Sequence, residues 1–325
     1  MSLFPPTIEN IQKAAQLLRE GELVAFPTET VYGLGADAFQ EEACQKIYAA
    51  KGRPSFNPLI VHCLENAQVD ALAVLGQDAQ KLAETFWPGP LTLVLKKREP
   101  SLLPSIVTAG LETVAVRVPL HPTARALLKA FGGPIAAPSA NRSGFLSPTL
   151  AHHVLEDLHS KVAMILEGPP IEVGLESTII DLSGDAPILL RAGGLEIEKI
   201  EECLGQKILM NQTVSKIKSP GQLLKHYAPH LPLRLNVQDV DSQEGLLAFG
   251  SALSGSKVTF NLSETENLEE AAHHLFAFLH LLDERSDITG IAVQSIPEHG
   301  LGIAINDRLR RAAEGARDVD LLKRL

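Results

Sequence analysis

Residues 51–62 read Lys-Gly-Arg-Pro-Ser-Phe-Asn-Pro-Leu-Ile-Val-His, and they join a predicted helix to a predicted strand. The helix carries Ala43, Ile47 and Ala50 on one face and ends at Lys51–Gly52. A turn around residues 57–58 then leads into the apolar strand 59–61. Helix, polar turn and short apolar strand thus follow one another directly, as in an α/β domain.

The turn carries two cations, Lys51 and Arg53. Cations between a helix and a strand are poorly placed to cover apolar surface and well placed to hold an anion. A phosphate chain is the predicted anion, because a guanidinium grips oxyanions through several N–H groups while an ammonium adds a compact charge. The alternative is that the two cations only complement the dipole at the helix C-terminus, and this fragment alone does not distinguish the two interpretations.

Length and composition limit the class of protein. A chain of 325 residues predicts two domains, and 45% hydrophobic with 21% charged residues is typical of a globular protein with a substantial core. No apolar run approaches the ~18 residues of a transmembrane helix, and the first residues show neither a basic leader nor an apolar signal core. A net charge of −10 argues against broad, non-specific nucleic-acid binding but allows a local basic pocket.

The cysteines and histidines do not form a metal-site pattern. Cys44, Cys63 and Cys203 are too widely spaced for a disulfide framework or a zinc site, and a reducing cytoplasm is the predicted location. His226 and His230 are four residues apart, but a proline interrupts the helix that would place them on one face. No protein metal site is therefore predicted.

Short strand-like runs alternate irregularly with helical ones in the N-terminal part of the chain. A helix is predicted over residues 7–20, capped by Thr7. The predicted strands are 23–26, 59–61, 91–95, 114–118, 135–137, 164–166, 178–182 and 188–190. Because no β-α unit repeats strictly and the last two strands resemble a hairpin, we expect a mixed sheet rather than a doubly wound nucleotide-binding fold.

The pattern lapses between residue 205 and about residue 230, where a turn at 219–221 and one helical turn at 223–226 are the predicted features. Beyond it, strands at 245–249, 258–260 and 291–293 alternate with helices that begin near Asn267 and Ile303. The prediction is an N-terminal α/β domain over residues 1–207, a linker or lid over 208–231 and a small α/β domain over 232–325.

Several common site types are excluded by their motifs. No Gly-Lys pair occurs, so there is no P-loop, and residues 33–35 (Gly-Leu-Gly) lack the third glycine of a dinucleotide fingerprint. H-E-x-x-H, G-x-S-x-G and C-x-x-C are also absent. His62 and Cys63 do not form a base–nucleophile pair, because adjacent strand residues point to opposite faces.

What remains is a set of polar residues at strand ends. Residues 27–35 and 138–141 each follow a predicted strand, and residues 176–181 and 190–194 accompany two more. Arg117 lies in an otherwise apolar segment, so we expect it to have a ligand or a carboxylate partner. Capped turns and structural ion pairs would explain each segment taken alone. Together they are rich in Arg, Lys, Ser, Thr and Asn but poor in activated nucleophiles, which suits phosphate-ester chemistry driven by positioning and charge stabilisation.

In this order and spacing the motifs resemble the Sua5/YciO/YrdC family, specifically its longer, two-domain Sua5 form. The resemblance rests on residues 27–35, 51–62, 86–93, 114–119, 137–141, 176–181, 226–229 and 300–309. It implies an N-terminal YrdC-like domain with a twisted mixed β-sheet and helices, and a small Rossmann-like C-terminal Sua5 domain. The family signature K-x-R followed by S-x-N is met by Lys51, Arg53, Ser139 and Asn141, which would be catalytic.

The resemblance implies an L-threonylcarbamoyladenylate synthase, a nucleotidyltransferase of tRNA t6A biosynthesis. L-Threonine, bicarbonate and ATP, the last with Mg²⁺, would give threonylcarbamoyl-AMP and pyrophosphate. Residues implied to bind ATP are Arg53, Asn57, Thr113, Ser139, Ser147, Arg191 and Tyr227. Residues implied to bind threonine are Thr30, His62, Arg117, Ala137 through its backbone, and Ser177. Tyr227 would make the linker part of a lid, and the product would pass to a tRNA threonylcarbamoyl transferase complex.

Two other classes stay open at this point. An RNA-binding module of YrdC-like fold would use a basic concave surface, with a weak tRNA contact, and its candidate cations are Lys51, Arg53, Arg117, Arg142 and Arg191. A carbamoyl-transfer enzyme of the hydrogenase-maturation kind has a related domain, but its cysteine-rich zinc fingers are missing here.

Overall fold

The structure, a computed structural model, describes residues 3–210 and 226–322, with side chains described as far as residue 316. Two β-sheets divide these residues into an N-terminal and a C-terminal lobe. Within these ranges, no helix combines the length and the apolar character needed to cross a lipid bilayer. The turn predicted at 219–221 and the helical turn predicted at 223–226, apart from its last residue, lie outside the described residues.

One mixed sheet forms the N-terminal lobe. In the described part of the chain its strands are β1 (Leu3–Phe4), β2 (Val24–Pro27), β3 (Tyr32–Asp37), β4 (Ile60–His62), β5 (Leu91–Lys96), β6 (Thr113–Arg117), β7 (Ile135–Ala136), β8 (Met164–Leu166), β9 (Thr178–Asp181), β10 (Ile188–Arg191) and β11 (Leu209–Met210). Their order is β1-β8-β2-β3-β7-β4-β6-β5-β9-β10-β11. The sheet contains parallel pairs such as β4–β6 and antiparallel pairs such as β2–β3 and β9–β10, so the predicted mixed sheet and its late hairpin are confirmed.

Helices cover this sheet, and the sequence explains where the first helix begins and where the second ends. In chain order they are α1 (Ile8–Arg19), α2 (Glu41–Lys51), α3 (Asn66–Leu72), α4 (Gln77–Phe86), α5 (Ser105–Thr108), α6 (Pro122–Phe131), α7 (Ala151–Leu158) and α8 (Ile197–Leu204), with a short 3₁₀ helix at His159–Lys161. The Thr7 hydroxyl caps α1 by accepting the Asn10 N–H at 3.2 Å. Gly52, with φ of 62°, ends α2 one residue after Lys51.

Strand β3 is the main difference from the sequence-based prediction. Only the first part of segment 27–35 is a turn, and the chain then returns as β3 antiparallel to β2, with Val24 opposite Gly35. Most of β3 is buried, so no alternation of polar and apolar residues marks it. Its two glycines also have low strand propensity, which explains why the pattern did not reveal this strand.

The C-terminal lobe is a small parallel α/β unit, as predicted. Its strands in the described residues are β12 (Leu233–Leu235), β13 (Glu244–Ala248), β14 (Val258–Asn261) and β15 (Gly290–Val293), in the order β12-β15-β13-β14. Its helices are α9 (Leu268–Asp283) and α10 (Leu301–Leu322). All of its strand pairs are parallel, which is the arrangement of a Rossmann-like sheet.

The two lobes pack tightly against each other. One hydrophobic cluster joins Val31 and Leu175 of the N-terminal lobe to Phe276 on α9. The backbones of the two lobes also approach each other closely at Gly174. A Cβ atom added there would lie only 2.6 Å from the carbonyl oxygen of Ala272 on α9. The lobes therefore form a continuous interface.

Substitution of Gly35 tests the packing of the β2–β3 hairpin. A Cβ atom at this position would lie 2.8 Å from Phe26 Cε1 and 2.9 Å from Ile135 Cγ2, and both of those side chains are fully buried. We expect Gly35→Ala to lower the free energy of unfolding by about 1–3 kcal/mol, measured by urea denaturation. Gly184→Ala is the control, because its Cβ would meet no atom within 4 Å, and it should change stability by less than about 0.5 kcal/mol. Equal effects of the two substitutions would contradict the close approach.

Candidate functional site

A cavity with about 500 Å³ of space, part of it open to solvent, lies at the strand ends of the N-terminal lobe. Its walls come from the β2–β3 turn, the ends of β4, β6 and β10, the segment after β7, the residues before β9 and the chain at 226–227. The lining residues are Thr28, Thr30, Val31, Tyr32, Gly33, Arg53, Ile60, His62, Arg117, Ala137, Pro138, Ser139, Glu176, Ser177, Arg191, His226 and Tyr227. Segments far apart in sequence thus share one cavity.

Most of the residues predicted for the site line this cavity. All five of the predicted threonine-binding residues do so: Thr30, His62, Arg117, Ala137 and Ser177. Four of the predicted ATP-binding residues join them: Arg53, Ser139, Arg191 and Tyr227. The predicted residues outside its lining are Lys51, Asn57, Thr113, Asn141 and Ser147.

Lys51 lies behind the cavity wall and anchors one of its loops. It is the last residue of α2, and its Nζ donates to the carbonyl oxygen of Ser139 at 2.7 Å, to the carbonyl oxygen of Asn141, and to Asn141 Oδ1 at 3.3 Å. Burial, followed by the Arg53 charge, lowers the pKa of Lys51, whereas the three surrounding oxygens favour its ammonium form. The two halves of the K-x-R and S-x-N signature are therefore in direct contact.

Arg53 reaches the cavity from the turn after α2. Its Nε donates to the carbonyl oxygen of Asn57 at 3.0 Å and its Nη2 to that of Pro58 at 2.8 Å. The Asn57 side chain is also buried, and its Oδ1 has no hydrogen-bond partner among the described residues. Thr113 is more distant: it begins β6 four residues before Arg117, a separation of roughly 13 Å along a strand.

Arg117 has the carboxylate partner that its apolar surroundings require. Its Nη2 donates to Glu29 Oε1 at 2.6 Å and its Nη1 to the Thr30 hydroxyl at 2.9 Å. Glu29 Oε2 accepts the backbone N–H groups of Leu120 and His121. Although burial opposes ionisation, the charge and hydrogen bond of Arg117 hold the pKa of Glu29 below its usual value. This ion pair is nearly solvent-free, since the two side chains are 4% and 3% exposed.

His62 is a neutral group in the same part of the cavity. Burial, followed by the charge of Arg117, lowers the pKa of His62 to about 3. Its Nδ1 lies 3.3 Å from the carbonyl oxygen of Ile60, which favours a proton on Nδ1 and an accepting Nε2. His62 therefore suits the acceptance of a hydrogen bond better than the removal of a proton from an ammonium group.

Glu176 and Arg191 carry opposite charges on another wall of the cavity. Arg191 donates from Nε and Nη2 to the carbonyl oxygen of Ser177, at 3.1 and 3.0 Å. Glu176 accepts the Ser147 hydroxyl at 2.5 Å on Oε1 and Arg308 Nε at 2.8 Å on Oε2. Burial opposes ionisation, yet Arg308 and then Arg191 lower the pKa of Glu176 to about 2.

The balance of charge in the cavity favours an anion. Glu29 neutralises Arg117, and Arg308 neutralises Glu176. Arg53 and Arg191 are 8% and 7% exposed, and neither has a carboxylate partner within residues 3–210 and 226–316. Two buried guanidinium groups whose described contacts are neutral oxygens are chemically suited to a phosphate-like ligand.

Four functional candidates were missed by sequence reasoning. Glu29, Glu176 and His226 lie within the motifs that carry the family resemblance, but no binding or catalytic role was predicted for them, and Arg308 lies in the C-terminal motif at residues 300–309. His226 lines the cavity, and its buried Nδ1 has no partner among the described residues. Tyr227 is 1% exposed, and its ring lies 4.0 Å from that of His226. For Glu29 the sequence offered one indication, namely the expectation that Arg117 needs a ligand or a carboxylate partner.

Two histidines and one glutamate also form a group outside the cavity, at the interface of the lobes. The side-chain ligand atoms of His153, His280 and Glu284 all lie within 4.8 Å of one another. The two imidazole rings are stacked, with centroids 3.7 Å apart and planes at 15°. Lone pairs in two stacked planes do not converge on one point, so the arrangement does not suit a single bound ion.

Comparison with known proteins places the chain in a family. A family model for Sua5, YciO and YrdC proteins, described as telomere recombination, matches residues 16–193, and one for the threonylcarbamoyl-AMP synthase C-terminal domain matches residues 195–314. The chain belongs to the Sua5/YciO/YrdC family. The two-lobe architecture expected of a Sua5-type member is confirmed, whereas the limits of the domains at 207 and 231 stay a prediction.

Similar Sua5-type proteins match the chain over nearly its whole length. Threonylcarbamoyl-AMP synthase of Pyrococcus abyssi is 43% identical over 93% of this chain and 94% of its own. That of Bacillus subtilis is 44% identical over 94% of this chain and 93% of its own. The crystal structure of P. abyssi Sua5 complexed with L-threonine has a TM-score of 0.89 at 40% identity, covering 97% of this chain and 98% of that chain.

Replacement of Glu29 with Gln tests the buried ion pair. We expect Glu29→Gln to lower the free energy of unfolding by about 3 kcal/mol or more, because Arg117 would keep a buried, uncompensated charge. The folded-state pKa of Glu29 is depressed, so its contribution is present above the unfolded value of about 4.3 and is lost as pH falls through the lower folded value. The difference between parent and variant, measured by urea titration, should therefore shrink as the solution is acidified.

Glu22→Gln is the matched control for Glu29→Gln. Glu22 pairs with Lys46 at 2.8 Å, but both side chains are 45% exposed. Its loss should cost about 0–1 kcal/mol. Similar losses for the two variants would contradict the structural role assigned to Glu29.

Proposed function

We propose that the chain is an L-threonylcarbamoyladenylate synthase. It converts L-threonine, bicarbonate and ATP into threonylcarbamoyl-AMP and pyrophosphate for t6A synthesis in tRNA. The observation that carries the proposal is that buried Arg53 and Arg191, which have no carboxylate partner among the described residues, share one cavity with Thr30, His62 and Arg117. Full-length similarity to threonylcarbamoyl-AMP synthases supports the same reaction.

The threonine end of the site lies around Arg117. Three of the five N–H donors of its guanidinium are used by Gly89, Thr30 and Glu29, and one hydrogen on each terminal nitrogen is uncommitted among the described contacts. These two hydrogens suit a carboxylate. His62, with the backbone at Ala137 and the hydroxyl of Ser177, completes the polar contacts proposed for threonine.

The ATP end lies around Arg53 and Arg191. Their guanidinium groups bind the phosphate chain, with the Ser139 hydroxyl, while Asn57 and Thr113 extend the proposed contacts away from the cavity. A direct contact from Ser147 requires exchange of its hydrogen bond to Glu176. The proposed contacts also include Tyr227 at the cavity wall. Lys51 and Asn141, both in the catalytic signature, act by fixing the loop that carries Ser139.

The chemistry needs no covalent enzyme intermediate. The amine of threonine combines with bicarbonate to form a carbamate and water. A carbamate oxygen then attacks the α-phosphorus of ATP, and the bond from that phosphorus to the bridging oxygen of pyrophosphate breaks. Arg53 and Arg191 stabilise the charge that grows on the departing pyrophosphate, in a cavity that limits access of water to the labile carbamate.

Magnesium enters this scheme as part of the nucleotide substrate. Glu176 is the one carboxylate residue among the described residues that line the cavity, and both of its oxygens already accept hydrogen bonds. Magnesium sites in proteins use carboxylates together with phosphate oxygens and water. We therefore assign Mg²⁺ to the phosphates of ATP rather than to a protein site.

The partner of the product is a tRNA threonylcarbamoyl transferase complex, as the family resemblance implies. Direct RNA binding is less well supported, because four of the five cations proposed for a basic surface are buried: Lys51, Arg53, Arg117 and Arg191. The fifth, Arg142, pairs with Asp157 at 3.1 Å. These residues therefore suit a small anion rather than an RNA backbone.

An omission assay tests the reaction directly. Pyrophosphate release should require threonine, bicarbonate and ATP together, because the carbamate must form before the phosphorus is attacked. Each substrate is left out in turn, and the nucleotide product is identified by mass spectrometry. Release that persists without threonine or bicarbonate would show simple ATP hydrolysis and would refute the proposal.

Replacement of Arg53 tests the phosphate contact. We expect Arg53→Ala to reduce kcat/KM for ATP by about a hundredfold or more, as loss of a charge-stabilising donor does at other sites. Arg98→Ala is the control, since Arg98 is exposed and donates to the carbonyl oxygen of Asp70. Pyrophosphate release by both variants at the parent's rate would contradict the role of Arg53.

A further inference from the structure

Arg308 is a C-terminal-lobe residue that reaches the wall of the N-terminal cavity. It lies on α10, and its side chain is completely buried. Its Nε donates to Glu176 Oε2 at 2.8 Å, its Nη2 to the carbonyl oxygen of Ala192 at 2.8 Å, and its Nη1 to Asp307 at 2.7 Å. Its guanidinium also lies 5.0 Å from the centre of the Tyr227 ring. The Arg308 side chain thus contacts two cavity-lining residues, Glu176 and Tyr227, on the side away from the cavity.

The partner of the Glu176 carboxylate determines whether the Arg191 guanidinium forms an ion pair or stays available for a ligand. Both residues line the cavity, and Arg191 donates to the carbonyl oxygen of Ser177, the residue that follows Glu176, so the two opposite charges lie in the same part of the wall. A buried carboxylate without a partner is costly and takes the nearest cation. With Arg308 and Ser147 on its two oxygens, Glu176 is already satisfied, and Arg191 instead donates to the neutral oxygens of Ser177.

We propose that Arg308 is a positioning residue of the cavity: by neutralising Glu176 from behind the wall, it leaves the Arg191 guanidinium available for the phosphate groups of ATP. The catalytic site is then complete only when the C-terminal lobe is docked. This inference rests on the proposed function, since it assigns the phosphates of ATP to Arg191. It gives the C-terminal lobe a chemical part in the reaction besides its packing.

Three variants separate this role from simple support of the interface. Arg308→Met removes the charge and keeps most of the volume. Arg308→Met combined with Glu176→Gln removes both charges of the pair. Arg310→Met is the matched control on the same helix, because Arg310 is 53% exposed and pairs with exposed Glu298 at 2.7 Å. The readouts are KM for ATP and for threonine in pyrophosphate release, and the calorimetric Kd for ATP.

We expect Arg308→Met to raise KM and Kd for ATP by about tenfold or more, because Glu176 would then pair with Arg191. KM for threonine should stay within about threefold, since the Arg117 end of the cavity is untouched. The double variant should bring both ATP constants back to within about threefold of the parent, and Arg310→Met should match the parent. A role in support alone predicts no rescue by the second substitution.

Each other result overturns the inference. ATP constants that do not change in Arg308→Met, an equal rise for both substrates, or no rescue in the double variant would all contradict it. If Arg308→Met does not fold, the double variant alone tests the inference, because it leaves no unpaired charge at the Glu176–Arg308 pair. Values of KM and Kd for ATP near those of the parent then support the inference, and a tenfold rise refutes it. If the parent releases no pyrophosphate, the proposed function fails, while the Kd values for ATP still test Arg308; a parent that binds no ATP refutes both.

Discussion

Positive charge buried around one cavity is the constraint on which the rest of this structure depends. Lys51, Arg53, Arg117 and Arg191 are all less than 10% exposed, and an uncompensated charge in such surroundings costs several kcal/mol. Arg117 has a carboxylate, whereas the partners of Lys51, Arg53 and Arg191 among the described residues are neutral oxygens. Lys51 lies behind the cavity wall, so Arg53 and Arg191 are the two of these three that line the cavity. A bound polyanion would therefore stabilise these two guanidinium groups, which have no carboxylate partner in the described part of the chain.

Backbone pairing explains why these charges meet. His62 and Arg117 are register partners at the ends of the parallel strands β4 and β6, so their side chains emerge at one edge of the sheet. Strand β3 brings the loop that carries Ser139 and Asn141 to the same edge, because Gly33 forms a β-bridge with Ser139 and the Leu34 N–H donates to the carbonyl oxygen of Pro138. Regular strands thus position His62, Arg117 and Arg191 directly, and they fix the ends of the turns that carry the other polar side chains.

The sequence predicted the local features of this site better than its pairings. Helix α2 ends where its pattern indicates, and the need of Arg117 for a partner is confirmed, because apolar surroundings and helix stops are local signals. The identity of that partner, Glu29, depends on the order of strands in the sheet, which one sequence does not reveal. Lys51 contacts the loop that carries Ser139 and Asn141, a pairing that the sequence did not reveal, and its place at the phosphates stays a prediction. Arg308 was missed because its partner lies 132 residues away in another lobe.

The ion pair of Glu176 and Arg308 joins the chemistry of the cavity to the docking of the lobes. A buried pair of this kind adds little net stability compared with apolar packing, because both charges must lose their water. Its presence is better explained by what it does to a third charge. Glu176 alone, opposite Arg191, would convert an anion site into a closed salt bridge, and Arg308 prevents this by occupying the carboxylate. An N-terminal lobe without α10 would need another cation, or a neutral residue in place of Glu176, to leave its phosphate-binding arginine unpaired.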